Sequence, residues 1–489
     1  MIPQMKFQPV IRGGIILLSS LFLLSCATVP QGGSSEQKSP GAEDGFEDDI
    51  EVYDRMSAAI LLGDPREAIQ AYEQAKLDDP DDPASRILLA RLQIAAGELD
   101  TAETMLRELL NGSGDTDSAE GASAENSSTR ELSDEDRADA LVSLSLIERA
   151  RGRREAEEDL LVRALQADET NVQANTGIGE ILLEKEQYDR AEQRFQKALE
   201  TEDDNFVALQ GLGNSYLRNG KSQDAISAFS RAIDVDPDYS YSYVDRSRAF
   251  VEQGYYDRAI ADMTRAIDLD EQNGWNYLDR GRMNARSGNF EAAEQDFSRA
   301  IQRIPGVFLN YAYRGQVRAF LGEYEDAAAD YEQALEIRPD YYPAYSYLGA
   351  LEYIRGNHQN SGRLLDEAWK EEKARGSLIL FSAAAGFAQS PGAGRSYLED
   401  RLGEFSRDDL FYFVGRFFID GVDTRLLRQI QQEEDMQTKA LAQFFTALRY
   451  AQRGQISTAL ALLNSQEQER LEGTPEGVVR TWLIDELSQ

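Results

Sequence analysis

Residues 206–239 read FVALQGLGNSYLRNGKSQDAISAFSRAIDVDPDY, and residues 240–273 read SYSYVDRSRAFVEQGYYDRAIADMTRAIDLDEQN. Laid over one another, the two stretches keep their small and large apolar residues in register. With Pro237 counted as position 32, Leu209, Leu212, Gly213 and Tyr216 occupy positions 4, 7, 8 and 11, and Ala225, Phe229 and Ala232 occupy positions 20, 24 and 27. The first set falls on one face of a helix and the second on one face of another. The two faces predict a helical hairpin. Gly220 at position 15 ends the first helix, proline at position 32 closes the second, and small residues at 8, 20 and 27 let the axes approach.

The register continues through Tyr243, Ser247, Phe250, Gly254, Ala259, Met263 and Ala266 in the next unit, and through Tyr277, Gly281, Gly288, Ala293, Phe297 and Ala300 after it. A further unit reads Tyr311, Gly315, Gly322, Ala327, Tyr331 and Ala334. Weaker copies begin at Asp49, Pro83, Ala138, Val172 and Tyr342, which makes nine units; Glu157 stands in the Ala138 copy where a small residue belongs. A repeat of this length gives hairpins that bury their faces against neighbours. The pattern resembles the tetratricopeptide repeat over roughly two thirds of the chain. That resemblance implies an all-α solenoid, a right-handed superhelix of helix-turn-helix hairpins. It is specific for fold and nearly silent on function.

The organisation expected outside the strong repeats is coarser. Residues 49–110 hold two N-terminal units and 138–375 hold seven; the Ser-, Gly- and acid-rich segment Asn111–Arg137 between them lacks any apolar period and reads as a disordered insert. Residues 376–489 are helical in flavour, with a degenerate unit around Tyr450, Gly454, Ala459 and Leu463, and either cap the stack or form a small helical domain. The glycine-rich stretch Gly386–Ser396 lacks the lysine of a phosphate loop and reads as a helix connection.

Residues 1–25 carry Lys6 and Arg12 ahead of the short apolar run GGIILLSSLFLLS, the layout of an export signal and too short for a permanent span. Leu23-Leu24-Ser25-Cys26 resembles the bacterial lipobox, which implies cleavage before Cys26 and acylation of that residue. Residues 26–48 then form a flexible tether. The resulting expectation is an exported protein, lipid-anchored to a bacterial membrane and facing the periplasm or surface, with Ala27 favouring the outer membrane.

A formal charge of −36 repels phosphate backbones and argues against nucleic acid as a partner. Cys26 is the sole cysteine and His358 the sole histidine, so no cage of several thiolates or imidazoles can be assembled, and a Ser-His-Asp triad could use only that one imidazole. His358, near an inter-helix turn, reads as inert. No cofactor is expected, and no spacing among the carboxylates marks an acid/base pair.

Two sets of residues stand out. Arginine replaces leucine at position 7 in three consecutive units (Arg246, Arg280, Arg314), and the same three carry aspartate at position 23 (Asp262, Asp296, Asp330). Their joint appearance predicts an inter-helix ion pair in each hairpin, structural in role. The family resemblance implies that first-helix positions 2, 5, 9, 12 and 13 line the inner groove. On those positions lie Trp275, Leu278, Arg282 and Arg286, preceded one unit earlier by Tyr241, Val244 and Arg248 and followed by Leu309, Gln316 and Phe320. Arg beside Trp and Tyr is the chemistry of a peptide-binding surface. The leading expectation is a non-catalytic, membrane-anchored scaffold or assembly factor of the bacterial envelope that binds proteins or peptides. The alternatives are an envelope hydrolase with its catalytic segment after Arg375, or a peptidoglycan- or glycan-binding module.

Overall fold

Each strong unit folds as two helices joined by a three-residue turn, and the turn explains the glycine. Gly220, Gly254, Gly288, Gly322 and Gly356 all adopt left-handed φ between 75° and 82°. In each case the next residue's N–H reaches back across the turn, as in Lys221 N to the Tyr216 carbonyl at 2.8 Å and Asn289 N to the Asn284 carbonyl at 2.9 Å. This is a Schellman closure. Glu186 holds the same position in its unit and is forced to φ 58°, the only non-glycine residue with positive φ among those described. The small residue at position 8 is a close-approach device: a Cβ on Gly213 would lie 2.5 Å from the ring of Phe229 at position 24. Two first helices begin at a capping asparagine, the Asn171 and Asn205 side chains each accepting a backbone N–H at 2.9 Å.

The computed structural model describes residues 55–56, 59, 63–74, 77, 79, 82–112, 132–422 and 424–489. Cys26, the expected signal and tether, and most of the expected insert lie outside the described residues. The described part is all helical, and no helix in it is long and apolar enough to cross a membrane. It divides into two bodies.

The first body, up to Pro237, holds α1 (Pro65–Gln74) and four hairpins: α2 (Pro83–Ala95) with α3 (Leu99–Asn111), α4 (Asp134–Ala150) with α5 (Arg154–Ala167), α6 (Val172–Glu184) with α7 (Tyr188–Thr201), and α8 (Phe206–Arg218) with α9 (Ser222–Val235). The second of these hairpins begins inside the segment expected to be unstructured. Ser133 accepts the Asp136 N–H and caps a helix that already contains residues 134–137, so the N-terminal boundary of the repeat lies earlier than its apolar period suggests. Glu157, at the small position, is fully buried and is met by Arg149 and Arg154, each at 2.6 Å. Two guanidinium groups replace the missing apolar contact.

The second body, residues 238–489, holds four hairpins: α10 (Ser240–Glu252) with α11 (Tyr256–Leu269), α12 (Gly274–Arg286) with α13 (Phe290–Arg303), α14 (Phe308–Phe320) with α15 (Tyr324–Ile337), and α16 (Tyr342–Ile354) with α17 (His358–Glu371). There follow α18 (Ser377–Gln389), α19 (Pro391–Arg401), α20 (Leu410–Asp420), α21 (Thr424–Gln432), α22 (Met436–Gln452), α23 (Ile456–Leu463) and α24 (Pro475–Ser488). The glycine-rich stretch does connect two helices. It is the corner of α18 and α19, broken only at Ser390, and Gly386 and Gly394 are glycine because the two backbones cross there. An aromatic core of Phe381, Phe417, Phe418, Phe444 and Phe445, all fully buried, holds α18, α20 and α22 together. Helices α22 and α23 repeat the hairpin closure, with Gly454 at φ 75° and Gln455 N bonded to the Tyr450 carbonyl at 2.9 Å. A 3₁₀ turn, Gln466–Leu471, then sends the chain back to α24.

Candidate functional site

In the second body the position 7 arginines and position 23 aspartates meet. Arg246 forks onto Asp262 with Nε–Oδ2 and Nη2–Oδ1 both 2.8 Å. Arg280 donates to Asp296 from Nη2 at 2.7 Å and from Nε at 3.1 Å, and Arg314 donates to Asp330 at 2.6 and 3.0 Å. The carboxylates are nearly buried and the guanidinium groups about one-fifth exposed. Each arginine also lies over the position 4 tyrosine of its own helix, at 5.8 to 5.9 Å from the centroid of Tyr243, Tyr277 or Tyr311. Its remaining arm ties one hairpin to the previous one: Arg280 Nη1 donates to Thr264 Oγ1 and Arg314 Nη1 to Ser298 Oγ, both at 3.1 Å. Each arginine therefore clamps the second helix of its hairpin to the first, and Arg280 and Arg314 also tie hairpin to hairpin.

The groove residues divide. Trp275 (47% exposed), Tyr241 (46%) and Phe320 (41%) stand open on the first-helix face, and Arg286 is exposed without an ion pair among the described residues. Leu278 does not line a groove: it is buried with Ala293, Phe297, Ala300 and Val317. Val244 is buried in the same way. Position 5 faces the seam with the next hairpin, so an apolar residue there is packed and not presented. Arg248 and Arg282 are already engaged by the aspartates three residues before them, Asp245 at 2.8 Å and Asp279 at 3.1 Å, and Arg282 also lies 5.7 Å over Tyr313.

Further along the same face the surface is occupied by the chain itself. Helix α24 lies on α16, with Val478 packed in the cluster that holds Ala312, Ala319, Leu348 and Leu351. Trp482 meets Tyr353 edge-on at 6.3 Å. At its start, the Gly473 carbonyl accepts from the Tyr347 hydroxyl and from Gln316 Nε2 at 3.4 Å, and Gln316 also donates to the Tyr347 oxygen at 3.2 Å. Burial holds the Tyr347 phenol well above its ordinary pKa, which keeps it a donor. Glu476 is buried beside Arg375, 3.9 Å away, with Oε1 making no hydrogen bond. Gln316, Ala319, Phe320 and Tyr353 hold first-helix positions 9, 12, 13 and 12 of their units, so α24 covers positions expected from the family resemblance to line the inner groove.

His358 starts α17, tilted against Tyr353 at 5.1 Å, and burial lowers its pKa. Among the described residues no group of His, Cys, Asp or Glu is arranged to hold a metal ion.

These features define a class of helical-hairpin repeat proteins with an extended first-helix face. Residues 59–124, 176–240, 211–274, 244–307 and 314–375 match the tetratricopeptide repeat family, and the chain belongs to it. No curated protein matches the sequence. Among solved structures, the chain is similar to YrrB, described as a tetratricopeptide protein with an unusual peptide-binding site (20% identity over 37% of this chain and 93% of that one, TM-score 0.34). It is similar to Pseudomonas aeruginosa PilF (16%, 42% and 94%, TM-score 0.37) and to a tetratricopeptide repeat protein of Parabacteroides merdae (17%, 48% and 93%, TM-score 0.38).

Proposed function

We propose that this protein is a non-catalytic, lipid-anchored scaffold of a bacterial envelope, exported and acylated at Cys26, which gathers a partner protein on the first-helix face of its second body. The observation that carries the reading is α24. A polypeptide helix already lies on that face through apolar packing and donors aimed at its backbone, and the neighbouring stretch, with Trp275, Tyr241, Phe320 and Arg286, is open. Repeats of this family generally hold proteins or peptides. Rigid aromatic area beside an unpaired guanidinium suits an acidic segment, and the first-helix row gives it a track.

Two experiments test the parts separately. Fatty-acid labelling of wild type and Cys26→Ser in cells tests the anchor; equal label in both rejects it. Partners captured by cross-linking are then measured for affinity to Trp275→Ala and Arg286→Ala, with helicity unchanged by circular dichroism. Truncating a hot spot of binding costs about 2 kcal/mol, roughly a thirtyfold loss. Wild-type affinity in both variants for every partner rejects the face as the site.

A further inference from the structure

The C-terminal bundle carries a concentration of positive charge that its own structure does not use up. Helix α20 ends at Gly421, φ 75°, whose N–H bonds the Phe417 carbonyl at 2.9 Å. Three arginines from other segments converge on that end. Arg395 donates Nη2 to the Ile419 carbonyl at 2.8 Å, Arg449 donates Nη2 to the Phe418 carbonyl at 3.2 Å and Nη1 to Gln452 Oε1 at 3.3 Å, and Arg453 donates Nη1 to the Gly421 carbonyl at 3.2 Å. Glycine at 421 meets the left-handed turn, and Arg453 Nη1 lies 3.1 Å from where a Cβ would stand.

Capping accounts for only part of this. A helix C-terminus carries about half a negative charge, which one arginine satisfies. Arg395 has Glu399 at 3.7 Å, and Asp420 is taken by Arg416. Neither Arg449 nor Arg453 forms an ion pair among the described residues, in a chain of net charge −36. Burial lowers the Arg449 pKa, and the charges of Arg453 and Arg395 lower it further. The guanidinium groups are held in place by rings: Arg449 lies 4.0 Å over Phe387 and 5.6 Å over Phe418, and Arg453 lies 5.9 Å over Phe417. Arg449 Nε is enclosed with no acceptor, while Arg395 and Arg453 are exposed.

We propose that Arg395, Arg449 and Arg453 form a binding site for a phosphate-type oxyanion at the C-terminal end of α20. The free donors of the exposed Arg395 and Arg453, beside the fixed charge of Arg449, suit an anion with several acceptor oxygens and nearly two charges better than a single carboxylate. The phosphate belongs either to a soluble ester or to a lipid headgroup, and the chemistry at the site is the same.

The test uses the full chain and inorganic phosphate at constant ionic strength set with chloride. Wild type is expected to show a saturable rise in thermal midpoint and saturable heat of binding. Arg395→Gln/Arg453→Gln, and Arg453→Gln alone, change exposed side chains and keep the fold by circular dichroism; the double variant is expected to bind at least tenfold more weakly. Absence of a saturable effect in wild type, or an equal effect in the double variant, overturns the site. Vesicles with and without phosphatidylglycerol then separate the sources. An increment of binding that the double variant loses assigns a headgroup, whereas phosphate binding without that increment assigns a soluble ester.

Discussion

Asp296→Ala isolates the clamp that repeats through the second body. The carboxylate accepts from Arg280 at 2.7 and 3.1 Å and from Asn284 Nδ2 at 2.9 Å, and its side chain is 5% exposed. Its removal strands the Arg280 guanidinium and leaves the Asn284 amide without that acceptor. Breaking a buried pair from one side costs about 3–5 kcal/mol. Arg280 is 21% exposed and keeps Thr264 Oγ1 and the Tyr277 ring, so part of the charge is still solvated and the expected loss is about 2–4 kcal/mol. With a urea slope of about 2 kcal/mol/M, the midpoint falls by about 1–2 M. Arg280→Leu strands Asp296 instead and costs a similar amount. The double variant removes both charges, and its cost is smaller than the sum of the singles by at least about 1 kcal/mol. Urea melts followed by helicity decide it, provided the slopes agree, since repeat arrays can lose cooperativity. Singles that add to within about 0.5 kcal/mol would show that the two groups do not interact.

Three further outcomes follow from local geometry. Glu186→Gly relieves a left-handed conformation that costs an L-residue about 1–2 kcal/mol, partly offset by the glycine's freedom when unfolded, so the urea midpoint rises by the equivalent of about 0.5–1 kcal/mol; a lower midpoint contradicts this. Val478→Asp places a charge in the cluster under α24 and releases that helix, so limited proteolysis should nick the segment before Pro475 in the variant and spare wild type; equal cleavage rates would count against the docking. Burial pushes the Tyr353 phenol up to about 12 from its ordinary 10. Because the folded pKa is the higher one, this stability is complete below pH 10 and is lost as pH rises through about 12. Phenolate absorbance and circular dichroism should therefore change together in that window, and a Tyr353→Phe variant should lose part of the alkaline transition.

The hairpins were legible because the chain contains its own alignment. Gly213 against Phe229 and the turn glycines recur at fixed offsets, and only a close helix pair and a left-handed turn need them there. The Arg/Asp pairs were legible for the same reason: both members appear together in three units and are absent together from their neighbours. Leu278 shows the limit of borrowed positions. A lining position says which way a residue faces, but the next hairpin's Val317 decides whether it is covered. Glycine at 386 and 394 read as a helix connection, and the crossing of two helix backbones is what demands glycine there. Helix α24 could not be placed, because Val478, Val479, Trp482 and Leu483 announce an apolar face without naming its partner. The apolar Ala319, Phe320, Tyr353 and Ile354 at inner positions of the last two units were the available signal. The three arginines at the end of α20 are more than fifty residues apart at their extremes, and nothing in the repeat register links them.

We propose that the first-helix face of the second body, and not its outer surface, holds the partner. A photo-reactive amino acid placed at position 275 tests it in living cells, with the same probe at position 302 on the exposed outer side of α13 as the reference. One or a few discrete protein adducts are expected from position 275 and none of those from position 302. The adducts should also diminish when Arg286 is changed to Ala. Identical adducts from both positions, or a discrete partner captured only from position 302, would contradict it.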